Sequence, residues 1–172
     1  MLKFKYCSNI EPIRTSGGEQ VLYYYLIALI VFGLDQLTKW FIVKEMKIGQ
    51  SIPLIEGVFH LTSHRNRGAA FGILQDQRWF FIVITLLVMV GIVYYLQKVG
   101  RNKPMVSYAL AFILGGAVGN FLDRLLHGEV VDFLDFTLIN YPIFNIADSA
   151  IVIGVGLMIL DTLLEMKKER RN

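Results

Sequence analysis

Cysteine is nearly absent from this chain: a single residue, Cys7, stands among 172. One thiol excludes an intramolecular disulfide, and with no His or Asn arranged beside it Cys7 offers no Cys-His nucleophile. Histidine is scarce too, at three residues. His60 and His64 have the i, i+4 spacing of a helical zinc pair. Their segment does not read as a helix and lacks the glutamate of His-Glu-x-x-His, so they read as solvated strand histidines and no metal site is expected. No nucleophile elbow surrounds Ser63 or Ser149, which argues against a Ser-His-Asp hydrolase built with His127. Also missing is a small-residue cleavage site after the first apolar run. That run is long and follows a polar leader, so it is expected to remain as a membrane span. The two halves share no convincing internal repeat of the kind found in carriers.

What the chain has in abundance is apolar surface, 55% of its residues with a positive mean hydropathy of +0.52. That is too greasy and too segmented for one soluble core, and the expected class is an all-α polytopic membrane protein. A span needs about 20 mostly apolar residues, and four stretches qualify, about 21–43, 79–97, 104–123 and 143–164. Residues 1–20 then form a polar cytoplasmic leader, 21–165 the membrane domain and 166–172 a basic tail. Lys3, Lys5 and Arg14, then Lys98, Arg101 and Lys103, then Lys167, Lys168, Arg170 and Arg171 all fall on one side of four spans. The positive-inside rule places both termini in the cytoplasm and the longer connections outside. This flanking bias accounts for the net charge of +3, so no nucleic-acid partner is implied. Trp40 and Trp79 sit at expected outer span ends, where interfacial aromatics belong.

Against this apolar background Asp35, Asn120, Asp132 and Asp148 lie in or beside the spans. A charge at the bilayer centre costs roughly 2.5 to 3.5 kcal/mol, which makes each a functional-site candidate. With a rise of about 1.5 Å per residue, Asp35 lies about 21 Å along the first span, Asn120 about 24 Å along the third and Asp148 about 7 Å inside the outer end of the fourth. All map to the outer half of the bilayer, and Asp132, in the second outer connection, can meet Asp148 at the mouth of the last span. Asp35 and Lys39 stand i, i+4, the favourable order for a helix pair, while Asn120, Asp123 and Arg124 share one helical face. Gly115 and Gly119 form a Gly-x-x-x-Gly pair for close helix packing. Arg124 needs a carboxylate or carbonyl partner, which Asp123 or a bound peptide would provide. The outer loop 44–78 alternates from Pro53 to Thr62 like a half-exposed strand or hairpin, giving a small strand cradle between spans 1 and 2. It runs on into Arg65-Asn66-Arg67-Gly68-Ala69-Ala70-Phe71-Gly72, where small residues permit close backbone approach. Two carboxylates at such a site suit an aspartic peptidase, in which one proton is shared, or a proton-coupled carrier. A non-catalytic membrane scaffold is a third reading. Composition leaves peptidase and carrier nearly even.

Five blocks carry a resemblance: Phe32-Gly33-Leu34-Asp35-Gln36-Leu37-Thr38-Lys39, Arg65-Asn66-Arg67-Gly68-Ala69-Ala70-Phe71, Gly119-Asn120-Phe121-Leu122-Asp123-Arg124, Gly128-Glu129-Val130-Val131-Asp132-Phe133 and Phe144-Asn145-Ile146-Ala147-Asp148-Ser149. In order and spacing the chain resembles the lipoprotein signal peptidases, the signal peptidase II family of bacteria, from about residue 21 to 165. The resemblance implies an aspartic endopeptidase of the bacterial cytoplasmic membrane. It would cut prolipoproteins just before the cysteine that carries diacylglycerol, with the active site towards the extracytoplasmic face. It implies Asp132 and Asp148 as the catalytic pair and Asp123 as a support. Asn66 and Arg124 match positions that hold substrate backbone, with Gly68 beside them, and Asn120 and Asn145 match positions that order the pair. Asp35 and Lys39 fall in the first-span motif, with a structural or substrate-positioning role. The partners implied are diacylglyceryl-modified prolipoproteins and membrane lipid, with the chain active as a monomer. No metal or organic cofactor is required by such a mechanism. Burial near lipid is expected to raise the pKa of one aspartate so that the pair shares a proton.

Overall fold

Helix lengths follow from the runs of apolar residues and from the breakers between them. The computed structural model describes residues 17–69, 73–100, 102–139 and 141–171. The first helix, α1, runs Gly17–Glu45, then come strands β1 (Ser51–Ile55) and β2 (Phe59–Asn66), helices α2 (Arg78–Val99) and α3 (Pro104–His127), strand β3 (Val130–Asp135), a 3-10 turn at Thr137–Ile139 and helix α4 (Ile146–Glu169). All four α-helices are long and apolar enough to cross a membrane. Pro104 occupies the first turn of α3, where its missing N–H costs nothing, and Gly128 ends that helix in the left-handed conformation at φ +77°. Residues 1–16 of the leader, with Cys7, and the Ala70-Phe71-Gly72 part of the small-residue segment lie outside the described residues.

The four expected spans are present with shifted ends. Helix α1 begins at Gly17, inside what reads as leader, and α3 continues beyond 123 to His127. Residues 143–145, assigned to the fourth span on hydropathy, are not helical, because Asn145 is the cap that starts α4. Asp148 is therefore in the first turn of its helix, nearer the end than span arithmetic places it. Helix α4 also takes in most of the basic tail.

Helix α3 is the post around which the others stand, packing against α1, α2 and α4. Of its most apolar stretch 61% is buried, against 17–28% for the other three. Small residues make this possible: Gly115 faces the Ala28 carbonyl and Val31 of α1, and Gly116 faces Ala147 and Ile151 of α4. Gly154 of α4 returns the contact against Ala109 and Ile113. With lipid on the outside there is no hydrophobic driving force between spans, so close backbone approach supplies the attraction. Large apolar side chains such as Leu29, Ile30, Leu87 and Val90 point outward instead.

The strands form one antiparallel sheet in the order β1-β2-β3. The strand cradle expected between the first two spans is real but incomplete. Its third strand is the Val130–Asp135 segment between α3 and α4, which the sequence reading leaves as loop, and Val58 sits in the turn between β1 and β2. Pairing sets His64 opposite Asp132 and Asn66 opposite Val130, with a bulge between Leu61 and His64. His60 and His64 therefore lie on a strand, about 13 Å apart along the chain at 3.3 Å per residue, too far to share an ion.

A leucine at Gly116 would need space held by Ile151 Cγ1, 2.9 Å from where its Cβ would stand, whereas Gly91 has open surroundings. Thermal unfolding in detergent is expected to show Gly116→Leu destabilised by about 1–3 kcal/mol and Gly91→Ala unchanged or slightly more stable. Equal midpoints for the two variants would refute the α3–α4 packing.

Candidate active site

The start of α4 organises the polar residues. Asn145 has extended backbone angles, and its Oδ1 accepts the N–H of Asp148 at 2.9 Å, while Asp148 Oδ2 accepts the N–H of Asn145 at 3.2 Å. This reciprocal cap satisfies two amides that a helix start leaves open. A third is satisfied from another helix: Asp35 Oδ1 on α1 accepts the N–H of Ala147 at 2.9 Å. Asp35 can come this close because residue 119 is glycine; a Cβ there would lie 3.1 Å from Asp35 Cγ.

The Asn145 side chain then reaches the strand. Its Nδ2 donates to Asp132 Oδ1 at 2.7 Å and to Asn120 Oδ1 at 3.1 Å. Asn120 Nδ2 donates in turn to Asp148 Oδ1 at 2.8 Å. Asp132 Oδ2 accepts from Asn66 Nδ2 of β2 at 2.9 Å. Each carboxylate oxygen of Asp132 and Asp148 thus receives one N–H, and Asn145 touches both residues. Asp132 is 1% exposed. Burial, and after it the negative charge of Asp148, push its pKa up to about 7 against the opposing pull of Asn66, Asn145 and Lys39.

Behind this pair lies a second polar layer. Lys39 Nζ forms ion pairs with Asp35 and Asp123 at 2.8 Å each and donates to Asn120 Oδ1 at 2.9 Å. Asp123 is thus the partner of Lys39, and Arg124 turns the other way. Its Nη2 donates to the Gly68 carbonyl at 3.0 Å, and its guanidinium lies 4.6 Å from the Phe81 ring centre. The carbonyl partner that Arg124 requires comes from the chain itself. Gly68 is also held through its N–H, which donates to Asn66 Oδ1 at 2.9 Å. All ten residues singled out in the sequence are brought into one connected network.

Three contributors escape the sequence reading. Gln36 Nε2 donates to Asp123 Oδ1 at 3.0 Å and to Asp35 Oδ2 at 3.2 Å. It is a polar side chain inside a span, so the rule that finds Asp35 would have found it. Arg78, at the start of α2, donates to the carbonyls of Arg124 at 2.8 Å and Leu125 at 2.7 Å, closing the last turn of α3. Glu129 pairs with Arg67 at 3.1 Å and lies 3.8 Å from Arg65, joining β2 to the entry of β3. Nothing in the spacing of these residues announces the last two.

Asp148 is half-buried. It meets an apolar groove of about 380 Å³ whose walls include Phe136, Tyr141, Phe144, Val152 and Ile153. Phe144 stacks on Phe136 at 5.9 Å between ring centres, and Phe136 packs on Phe59 of β2 at 4.8 Å. A carboxylate at the edge of an apolar groove, beside a second carboxyl that retains a proton near neutrality, can take a proton from water while its neighbour gives one.

The sequence pattern of the family described as Signal peptidase (SPase) II matches residues 27–164. A protein of Brevibacillus brevis named "Lipoprotein signal peptidase" is 63% identical over 149 residues, 87% of this chain and 100% of the relative. Proteins of the same name from Bacillus pumilus and Bacillus subtilis are 56% and 52% identical, covering 88% and 86% of this chain and 99% and 97% of theirs. Among solved structures, a bacterial membrane enzyme determined by the in meso method at 2.3 Å resolution superposes with a TM-score of 0.80. That enzyme is 42% identical, with 88% of this chain and 91% of the other covered.

Removing the Asn145 side chain should cost stability at both ends of the network. Asn145→Ala is expected to lower the unfolding free energy by about 1–2 kcal/mol through loss of the cap alone, with a further loss from the unpaired Asp132 oxygen. Chemical denaturation in detergent micelles measures it, and a variant as stable as wild type would show that the cap does not carry α4.

Proposed function

The chain belongs to the signal peptidase (SPase) II family, and from that premise we propose that Asp132 and Asp148 are its catalytic pair, acting on a peptide bond at the membrane surface. The family is one of aspartic proteases that act on lipoprotein precursors, and this chain is such an enzyme. The observation that carries the assignment is the double contact of Asn145, whose side chain bonds Asp132 while its backbone and Oδ1 bond Asp148. The carrier reading finds no support among the relatives.

In the proposed reaction Asp132, with its pKa at about 7, holds the shared proton and Asp148 the charge. Asp148 removes a proton from water as the oxygen attacks the scissile carbonyl, and Asp132 delivers its proton to the carbonyl oxygen. The tetrahedral diol collapses as Asp148 gives its proton to the departing amine and Asp132 takes back one hydroxyl proton, which leaves a carboxylic acid, a free amine and the pair with one proton again. Asn120, Asn145 and Asn66 keep the four carboxylate oxygens aimed. Asn66 and Arg124, which bracket Gly68, are assigned to the substrate backbone.

The scissile bond is proposed to be the one just before a diacylglyceryl-modified cysteine. A lipid-anchored substrate diffuses in the bilayer, so its reacting bond lies near the surface, at the depth of the first turn of α4. The apolar groove beside Asp148 suits such a substrate. Charge bias around the spans supports cytoplasmic termini and a site towards the extracytoplasmic face of the cytoplasmic membrane. One chain supplies every polar group of the site, which supports action as a monomer.

Cleavage of a diacylglyceryl-modified prolipoprotein by purified protein tests the pair. Asp132→Asn and Asp148→Asn are each expected to lose at least about a thousandfold in kcat with substrate still bound, while Asp123→Asn keeps measurable activity; a fully active Asp132→Asn would end the assignment. The pH profile makes a separate prediction. A carboxyl whose folded pKa is raised keeps its proton below that value and gives it up as pH rises through it. With Asp132 at about 7, kcat/KM should fall about tenfold per unit above that pH. A profile flat to pH 9 would contradict Asp132 as the proton donor.

A further inference from the structure

Lys39 is 3% exposed in a helix that spans the membrane, and it bonds neither member of the catalytic pair. Its ammonium forms ion pairs at 2.8 Å with Asp35 Oδ2 and with Asp123 Oδ2, and it donates a hydrogen bond to Asn120 Oδ1 at 2.9 Å. The third contact bears on catalysis. Asn120 Oδ1 faces two donors, Lys39 Nζ and Asn145 Nδ2. Turning the amide over would aim its NH2 at an ammonium and at another NH2. The orientation is therefore fixed with Nδ2 on Asp148 Oδ1.

We propose that Lys39 is a positioning residue for the catalytic pair: through Asn120 it fixes the N–H presented to Asp148, and its buried charge, balanced by Asp35 and Asp123, sets the pH range in which the pair works. The inference rests on the assignment of Asp132 and Asp148 as that pair. A helix-packing role alone does not call for this arrangement. Asp35 already joins α1 to α4 through the Ala147 amide, a bond that needs only an acceptor. A buried ammonium is costly at this depth and is retained where its charge acts on something.

The charged groups around the pair define the balance. Helix α1 contributes Asp35 and Lys39, α3 contributes Asp123 and Arg124, β3 carries Asp132 and α4 carries Asp148. From β2 comes the neutral amide of Asn66, while His64, opposite Asp132 in register, is exposed. Among the described residues Lys39 and Arg124 are the cations of this network, set against four carboxyl groups of which one pair shares a proton. Arg124 is turned to Gly68. Lys39 is turned inward, and its charge is among those that pull Asp132 down after burial and Asp148 have pushed it up.

The test is the pH dependence of kcat and kcat/KM on a diacylglyceryl-modified prolipoprotein for wild type, Lys39→Met, Lys39→Arg and Asp123→Asn. Loss of the cation should move both limbs of the Lys39→Met profile upward by about one pH unit with KM within about twofold. Lys39→Arg, which keeps the charge, should return the limbs to the wild-type position. Asp123→Asn leaves Lys39 less neutralised and should move the limbs downward. Limbs that stay in place while activity merely falls would overturn the proposal. If Lys39→Met does not fold, the downward shift in Asp123→Asn decides alone, and its absence overturns the proposal. Asp132→Asn and Asp148→Asn run in the same assay separate the two ideas. Activity in either means that the pair itself is misassigned, whereas dead pair variants with unmoved limbs remove only the role of Lys39.

Discussion

Lipid offers no hydrogen bonds, so each polar group that the chain carries into its spans has to be answered by another part of the chain. The exposed amides at the start of α4 are where this demand is met most densely. Asn145 answers one amide, Asp148 answers the amide of Asn145 itself, and Asp35 crosses from α1 to answer a third. Once Asp35 is there, a cation has to follow. Lys39 supplies it and brings Asp123 and Asn120 with it. The site is thus a chain of obligations that begins at a helix terminus, and its carboxylates are held by the same bonds that let α4 start within reach of the membrane.

Backbone proximity is the other half of the arrangement. Polar side chains as short as Asp and Asn can link three helices and a strand only if the helices lie very close. The glycines of α3 at 115, 116 and 119 provide that closeness, each facing a different group of α1 or α4. Exchange of one glycine for a larger residue would disturb distances throughout the network. Arg78 and Gly128 finish α3 in a way that turns the chain directly into β3, so that Asp132 arrives beside Asn145 with few intervening residues.

Much of this was legible in the sequence because charges stand out against hydrocarbon. Asp35, Lys39, Asn120, Asp123, Arg124 and Asp148 stand out as polar interruptions, and counting residues along the spans is enough to place Asp35, Asn120 and Asp148 in the outer half of the bilayer. The expectation failed where hydropathy carries no signal. Residues 143–145 are apolar enough to extend a span, yet the Asn145 cap fixes where the helix begins. The Val130–Asp135 strand is short, and its pairing with β2 is a contact across more than sixty residues of chain that periodicity cannot reveal. Nothing in the sequence marks Arg78, and only the fold shows it closing another helix.

Asn145 combines two offices in one side chain, helix cap and carboxylate holder, and this limits the ways in which the site can change. A small molecule that engaged Asp132 and Asp148 through the same hydrogen-bonding atoms would press on residues with little freedom to vary. Any replacement of Asn145 surrenders an acceptor to the helix or a donor to the strand. Drug resistance by substitution at the centre of the site would therefore carry a folding defect with it, and escape would have to come from the aromatic rim of the groove, where Phe136, Tyr141 and Phe144 contact one another and no buried polar bond is at stake.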